Sequence, residues 1–126
     1  MIKIAALDDE KQWVIFEKKI TEQCFPPGEY EFFGYTSAHE FFLSLKNIES
    51  DIYLLDMEFP ETVGLTGLDI GKKIKDLYEK SVIIYITGHV EYAIEAFEVN
   101  AFRYIPKVML EAKLPEAYQA IADIIS

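Results

Sequence analysis

Cysteine is almost missing from this chain. With Cys24 as its one thiol in 126 residues, no internal disulfide can form, and Cys24 and the two histidines do not have the spacing of a closed zinc site. The expected state of Cys24 is an inert, packed thiol. Long apolar runs are missing too: no 18-residue stretch could span a bilayer, and the opening MIKIAALDDE lacks a basic segment followed by an apolar one. The reading is cytoplasmic, with no membrane contact. Basic residues are scarce, 12 against 22 acidic ones, for a formal net charge of -10. That balance excludes binding a phosphate backbone through general electrostatics, while an acidic cleft would attract a divalent cation. No linker, repeat or charge block divides the sequence, so residues 1–126 are expected to form a single domain.

Apolar residues, by contrast, are plentiful. They make up 51% of the chain, with nine Phe and eight Tyr, which argues for an ordered core and against disorder. A chain of this length can bury about two thirds of the surface its unfolded form exposes. Short apolar runs read as strands at Ile2 to Leu7, Tyr30 to Tyr35, Ile52 to Leu55, Val82 to Ile86 and Phe102 to Ile105. Between them lie helical patterns. Trp13, Ile15, Phe16 and Ile20 mark one over Lys11 to Glu22, and Phe41, Phe42 and Leu45 mark one over Ala38 to Leu45. Leu68, Ile70, Ile74, Leu77 and Tyr78 mark a third, ending near Lys80. Glu91 to Phe97 and Leu110 to Ile125 complete the alternation, with Pro115 expected in the first turn of the last helix. Strand and helix alternating five times predict an α/β doubly wound sandwich around a parallel sheet.

Several of those strands end in chemistry. Ile4-Ala-Ala-Leu runs into Asp8, Asp9 and Glu10; Ile52-Tyr-Leu-Leu runs into Asp56; Val82-Ile-Ile-Tyr-Ile runs into Thr87. Open parallel sheets keep their ligands at the carboxyl edge, so these groups would converge there. An acidic pair before a helix also serves as an N-terminal cap. A third carboxylate from another strand, however, would repel the first two unless a cation compensated it. Mg²⁺ suits such a set, because it takes oxygen ligands and keeps several waters. Thr87 either caps a following helix or donates a hydrogen bond to a phosphoryl oxygen on Asp56. Lys107, after the last strand, is either a surface lysine or the positive charge for the same anion. Nucleophile, metal-binding acids, hydroxyl and cation together describe a phosphoaspartate pocket.

In that order, LDDE at 7 to 10, LLDMEFP at 54 to 60, ITGHVEYAIEAFEV at 86 to 99 and AFRYIPK at 101 to 107 make the chain resemble the CheY-like receiver domains of bacterial response regulators. The pattern from Thr87 to Tyr104 is most similar to receivers of LytTR-type transcriptional regulators. The resemblance implies a flavodoxin-like (βα)5 fold with strand order 2-1-3-4-5. It implies that Asp56 accepts a phosphoryl group from a sensor histidine kinase, and that Asp8, Asp9, Asp56 and the main-chain carbonyl of Glu58 hold Mg²⁺. Lys107 would contact the phosphoryl group, Thr87 would be the switch hydroxyl, and Tyr104 the aromatic that turns with it. Further implications are a homodimer through the face near residues 88–118 and transcriptional control by a LytTR-like DNA-binding output domain outside these residues. The chain would accept phosphate on itself without being a turnover enzyme. The alternatives are a stand-alone receiver or a degenerate interaction module independent of phosphorylation. A phosphatase of the haloacid dehalogenase type lacks support, since no Asp-x-Asp surrounds Asp8 or Asp56.

Two departures from the family pattern stand out. The segment Pro60 to Gly67 is longer than usual, which a surface loop tolerates. Pro106 precedes Lys107, where the family often has proline after the lysine. His39 and His89 have no visible acid partner and are not candidates for catalysis.

Overall fold

Alternating strands and helices assemble as the apolar pattern requires. In the computed structural model, residues 1–56, 67–88 and 101–125 are described. The elements are β1 (Ile2–Leu7), α1 (Lys11–Cys24), β2 (Tyr30–Tyr35), α2 (Ala38–Leu45), β3 (Ile52–Leu55), α3 (Gly67–Leu77), β4 (Val82–Thr87) and β5 (Arg103–Pro106), then a 3₁₀ turn (Lys107–Met109) and α4 (Leu110–Ile125). The expected helix over Glu91 to Phe97 and the loop from Met57 lie outside the described residues. The strands form one five-stranded sheet in the order β2-β1-β3-β4-β5, and every neighbouring pair is parallel. This is the flavodoxin-like arrangement anticipated from the sequence.

Side-chain alternation along the strands divides the core in two. Ala5, Leu7, Tyr53, Leu55, Ile83 and Tyr85 pack on one face with Phe41 of α2 and Ile70 and Ile74 of α3. Ile4, Ala6, Ile52, Leu54, Ile84 and Ile86 pack on the other with Ile20 of α1 and Leu114, Tyr118 and Ile121 of α4. Covering both faces explains why all four residues of β3 are buried and why its sequence is apolar without alternation.

Helix faces depart from the apolar pattern at several positions. In α1 the buried residues are Val14, Glu17, Ile20 and Thr21, whereas Ile15 is exposed. The inward stripe runs through positions 14, 17, 20 and 21, and Ile15 lies about 100° off Val14 around the helix. In α3 the stripe continues from Ile70 and Ile74 to the partly buried Tyr78, which leaves Leu77 exposed. Pro115 sits inside α4 and not in its first turn. The lost bond would have been accepted by the carbonyl of Glu111, an exposed residue near the helix start, where water can take its place.

A polar contact ties α1 to α4 through the second core. The Thr21 hydroxyl donates to the Glu17 carbonyl at 2.8 Å, so at the 2.8 Å contact between Thr21 Oγ1 and Tyr118 Oη the tyrosine is the donor. On the opposite face Tyr85 Oη donates to the Gly67 carbonyl at 3.0 Å. Gly71 makes room for that hydroxyl, since a Cβ there would lie 2.0 Å from Tyr85 Oη. We expect Gly71→Ala to lower stability by about 1–3 kcal/mol, as overpacking does, and to cost less in a Tyr85→Phe background; urea unfolding of the four proteins checks this.

Glu17 is buried to 1% exposure and its Oε1 has no hydrogen-bond partner. Burial raises its pKa well above the ordinary glutamate range; the charge of Asp8 adds to this, Lys107 opposes it, and Asp56 adds again. The folded state therefore holds the proton more tightly than the unfolded state, and stability falls as pH rises from the unfolded pKa towards the folded one. Glu17→Met should flatten this decline and raise stability by about 1–3 kcal/mol at neutral pH, with little gain at pH 4, as read by denaturant melts without divalent cations.

Candidate functional site

All five strands point the same way, so their carboxyl ends share one edge of the sheet. Asp8 follows β1, Asp56 follows β3, Thr87 ends β4, and Lys107 follows β5. β1 and β3 are adjacent, with β2 on the far side of β1, so the chain leaves these two strands in opposite directions and opens the crevice where such sheets hold ligands. Main-chain bonds fix the two acids beside each other: Asp8 N–H donates to the Tyr35 carbonyl at 3.2 Å and Asp56 N–H to the Leu7 carbonyl at 3.0 Å. The turn after Asp8 is tightened by Glu10 N–H donating to Asp8 Oδ1 at 2.9 Å.

Asp8, Asp9 and Asp56 each present a carboxylate oxygen, all within 4.8 Å of one another. Asp8 and Asp56 are buried and Asp9 is half-buried. Lys107 Nζ lies 2.9 Å from Asp8 Oδ2 and 3.5 Å from Asp56 Oδ2, bridging the two buried acids. Burial lifts the Asp8 pKa; the Glu10 amide and Lys107 pull it down without cancelling the rise, and the charge of Asp9 adds to it. For Lys107, burial acts downward, but its close polar contact with Asp8 and the charges of Asp56, Asp8 and Glu10 outweigh it, so the ammonium is held above its ordinary pKa. The lysine therefore stays charged across the neutral range.

Three carboxylates share the cluster with the Lys107 ammonium, an excess of negative charge. Asp8 Oδ2 is fully buried with no well-aligned hydrogen bond, so its contact with Lys107 is an ion pair of short distance but poor angle. A buried carboxylate oxygen without an aligned hydrogen bond, in a cluster that among the described residues contains carboxylates and no cysteine or histidine, suits a hard cation that takes oxygen ligands. The residues present fit such an ion.

Thr87 is fully buried. It follows Tyr85 by two residues along β4 and so shares its sheet face. Tyr104, in register with Tyr85 on the neighbouring strand, is partly buried against the same core. The hydroxyl and the aromatic thus occupy adjacent strands on one face. Glu58 and His89 lie outside the described residues, and His39 is exposed on α2. No peptide bond among the described residues is cis, so Pro106 enters the Lys107 turn in the trans form.

Two residues beside the cluster escaped sequence reasoning. The apolar pattern puts Trp13 simply on a helix face, yet its ring lies 5.0 Å from Lys107 Nζ. Glu17, one helical turn further along α1, is buried close enough for the charges of Asp8, Lys107 and Asp56 to act on it. The available signal was an acid at the i+4 position from a tryptophan, in the middle of an inward stripe.

Comparison with known proteins agrees with this geometry. The family described as response regulator receiver domain matches residues 4–119. An uncharacterized response regulatory protein of Vibrio parahaemolyticus is 27% identical over 129 residues, covering 100% of this chain and 50% of its own length. The transcriptional regulatory protein LytR of Staphylococcus aureus is 34% identical over 71 residues, 56% of this chain and 28% of that protein. The chain thus spans half or less of the curated relatives it matches. Among solved structures, a response regulator receiver domain protein from Clostridium thermocellum superposes with a TM-score of 0.78 at 28% identity, covering 95% of this chain and 93% of that one. Receivers described as CheY-like and as an OmpR/PhoB homolog share the fold as well. With its sheet order, its acidic edge and a family match over nearly its whole length, this chain belongs to the response regulator receiver domains.

Proposed function

We propose that Asp56 is the phosphoacceptor of this receiver and that a sensor histidine kinase is its phosphoryl donor. The observation that carries this reading is the ion pairing of Lys107 with both Asp8 and Asp56 inside the three-carboxylate cluster. Asp56 is buried and so partly desolvated, which favours a carboxylate as nucleophile over its hydrated form. One of its oxygens attacks phosphorus in line; the new P–O bond forms as the P–N bond to the kinase imidazole breaks, and the imidazole leaves with the electron pair. The Lys107 ammonium, already within 3.5 Å of Asp56, neutralises charge on the transferred oxygens. Asp8 and Asp9, with Asp56 and the Glu58 carbonyl, would hold Mg²⁺. When bound, that ion supplies further positive charge to the phosphoryl group and balances the clustered acids. The chain gives a nucleophile to one transfer and then carries the product, so it is a phosphorylated signal carrier and not a turnover enzyme.

The output follows from the neighbouring strands. Thr87 donates its hydroxyl to a phosphoryl oxygen, and Tyr104 turns into the space released on the same face, coupling charge at the edge to the surface beyond β4 and β5. Homodimerisation near residues 88–118 would use that surface, of which residues 89–100 lie outside the described part. A LytTR-like DNA-binding output in the whole protein is supported by the similarity to LytR; the shared fold of CheY-like and OmpR/PhoB-like receivers does not select among outputs. DNA contact belongs to that output domain, and a cytoplasmic setting suits a kinase-driven regulator. Among the described residues no helix is long and apolar enough to cross a membrane.

If the cluster holds Mg²⁺, millimolar Mg²⁺ should raise the melting temperature by a few degrees, about 1 kcal/mol or more of binding linkage, and Asp9→Asn should lose most of that rise; differential scanning calorimetry reads both. Acetyl phosphate with Mg²⁺ should add one phosphate to Asp56, located by peptide mapping. Asp56→Asn should accept none, and phosphate elsewhere in that variant would refute the assignment.

A further inference from the structure

Lys107 has a third neighbour besides its two acids, the indole ring of Trp13 at 5.0 Å. Trp13 lies four residues beyond Asp9, in the first turns of α1, and its ring packs against Phe16 with centroids 6.2 Å apart. It is the chain's single tryptophan. The lysine needs such a neighbour for a reason visible in its surroundings. It opens a 3₁₀ turn in which Val108, 94% exposed, and Met109 point outward, the first buried anchor coming three residues on at Leu110, so packing within the turn itself does little to fix where the long lysine side chain points. Its closest partner, Asp8 Oδ2, makes an ion pair without hydrogen-bond alignment. Asp8 is also one of the three acids a divalent cation would engage. Once Asp8 is engaged, a flexible four-carbon side chain keeps only Asp56 at 3.5 Å and the face of Trp13 from the neighbours named. An aromatic face attracts an ammonium through its quadrupole, yet does not compete for it with a hydrated Mg²⁺ as a carboxylate would.

We infer that Trp13 is a positioning residue for phosphoryl transfer: its indole face holds the Lys107 ammonium beside Asp56 after a divalent cation has taken Asp8. The inference rests on Lys107 serving the phosphoryl group, as proposed above. Trp13 touches neither phosphate nor metal and acts through the lysine alone.

The sign of its effects separates this role from packing. In the absence of metal the ring stabilises Lys107 where it opposes a cation at Asp8; with metal present it keeps Lys107 near Asp56. Losing the ring should therefore slow phosphorylation without weakening Mg²⁺ binding. A ring that merely packed α1 would, on removal, weaken both.

The test compares wild type, Trp13→Phe, Trp13→Leu, Lys107→Met and the Trp13→Leu/Lys107→Met double variant. Phosphorylation by acetyl phosphate is followed at saturating Mg²⁺, and Mg²⁺ affinity is measured separately by calorimetry. Trp13→Leu should lower the maximal rate about threefold to tenfold, the factor matching a partly desolvated cation–π contact. Trp13→Phe should recover much of that loss, Mg²⁺ affinity should be unchanged or tighter, and Trp13→Leu should have no further effect once Lys107 is Met. An unchanged rate in Trp13→Leu, an equal loss in the Lys107→Met background, or a parallel loss of Mg²⁺ affinity would each overturn the inference. Should Trp13→Leu not fold, wild-type tryptophan emission against Lys107→Met decides: a shift on removing the ammonium supports the contact, and an unchanged spectrum overturns it. Lys107→Met phosphorylated at the wild-type rate would instead refute the role of the lysine itself, a failure distinct from a silent Trp13→Leu.

Discussion

A single ammonium permits this sheet edge to exist. Two strands bring Asp8 and Asp56 together by main-chain bonding, and the turn after the first adds Asp9. The Glu10 amide bonded to Asp8 Oδ1 offsets only part of the repulsion that results. Lys107, arriving after the edge strand β5, bridges the two buried acids and so adds an electrostatic tie to the pairing that holds β5 on β4. The same charges that make the edge reactive thus help to position its outermost strand. Replacing one buried member of such a group would leave the others uncompensated, which costs more than the net worth of the intact set.

The second core carries its own polar elements. Tyr118 donates to Thr21, Thr21 donates to the carbonyl of Glu17, and the Glu17 carboxyl lies within the field of the acid cluster. An unpartnered buried acid is a poor choice for stability alone. Its place directly below Trp13 on α1 puts a cost in stability next to the carboxylate cluster and Lys107. Receivers must retain two accessible arrangements, and a helix packed less favourably on its inner face is one physical source of that latitude.

Much of this was legible in the sequence, for identifiable reasons. Strands buried on both faces are continuous apolar runs, and Ile52 to Leu55 could hardly be anything else. Asp8, Asp56, Thr87 and Lys107 were recognisable because each stands where a run stops, and parallel topology converts that position into proximity. The helices were harder. Their inward face depends on angle, and a stripe of apolar letters does not show which of Trp13, Val14, Ile15 and Phe16 turns inward. Ile15 and Leu77 consequently proved exposed, and Glu17, a charged letter, proved buried. Pro115 was misplaced because its tolerance depends on whether one carbonyl is wet, which no local pattern records. Trp13 escaped for a different reason: its partner lies at the other end of the sequence, and only the folded sheet brings them together.

Tyr85 makes one further point. Its hydroxyl reaches from the sheet interior to the carbonyl of Gly67, through the gap that Gly71 leaves, and so fixes the first turn of α3 from beneath. A helix secured in this way takes its position from the core and not from the length of chain that leads into it. The start of α3 is therefore set by the same buried face that holds β3 and β4, and a change of chain length ahead of Gly67 would leave that registration intact.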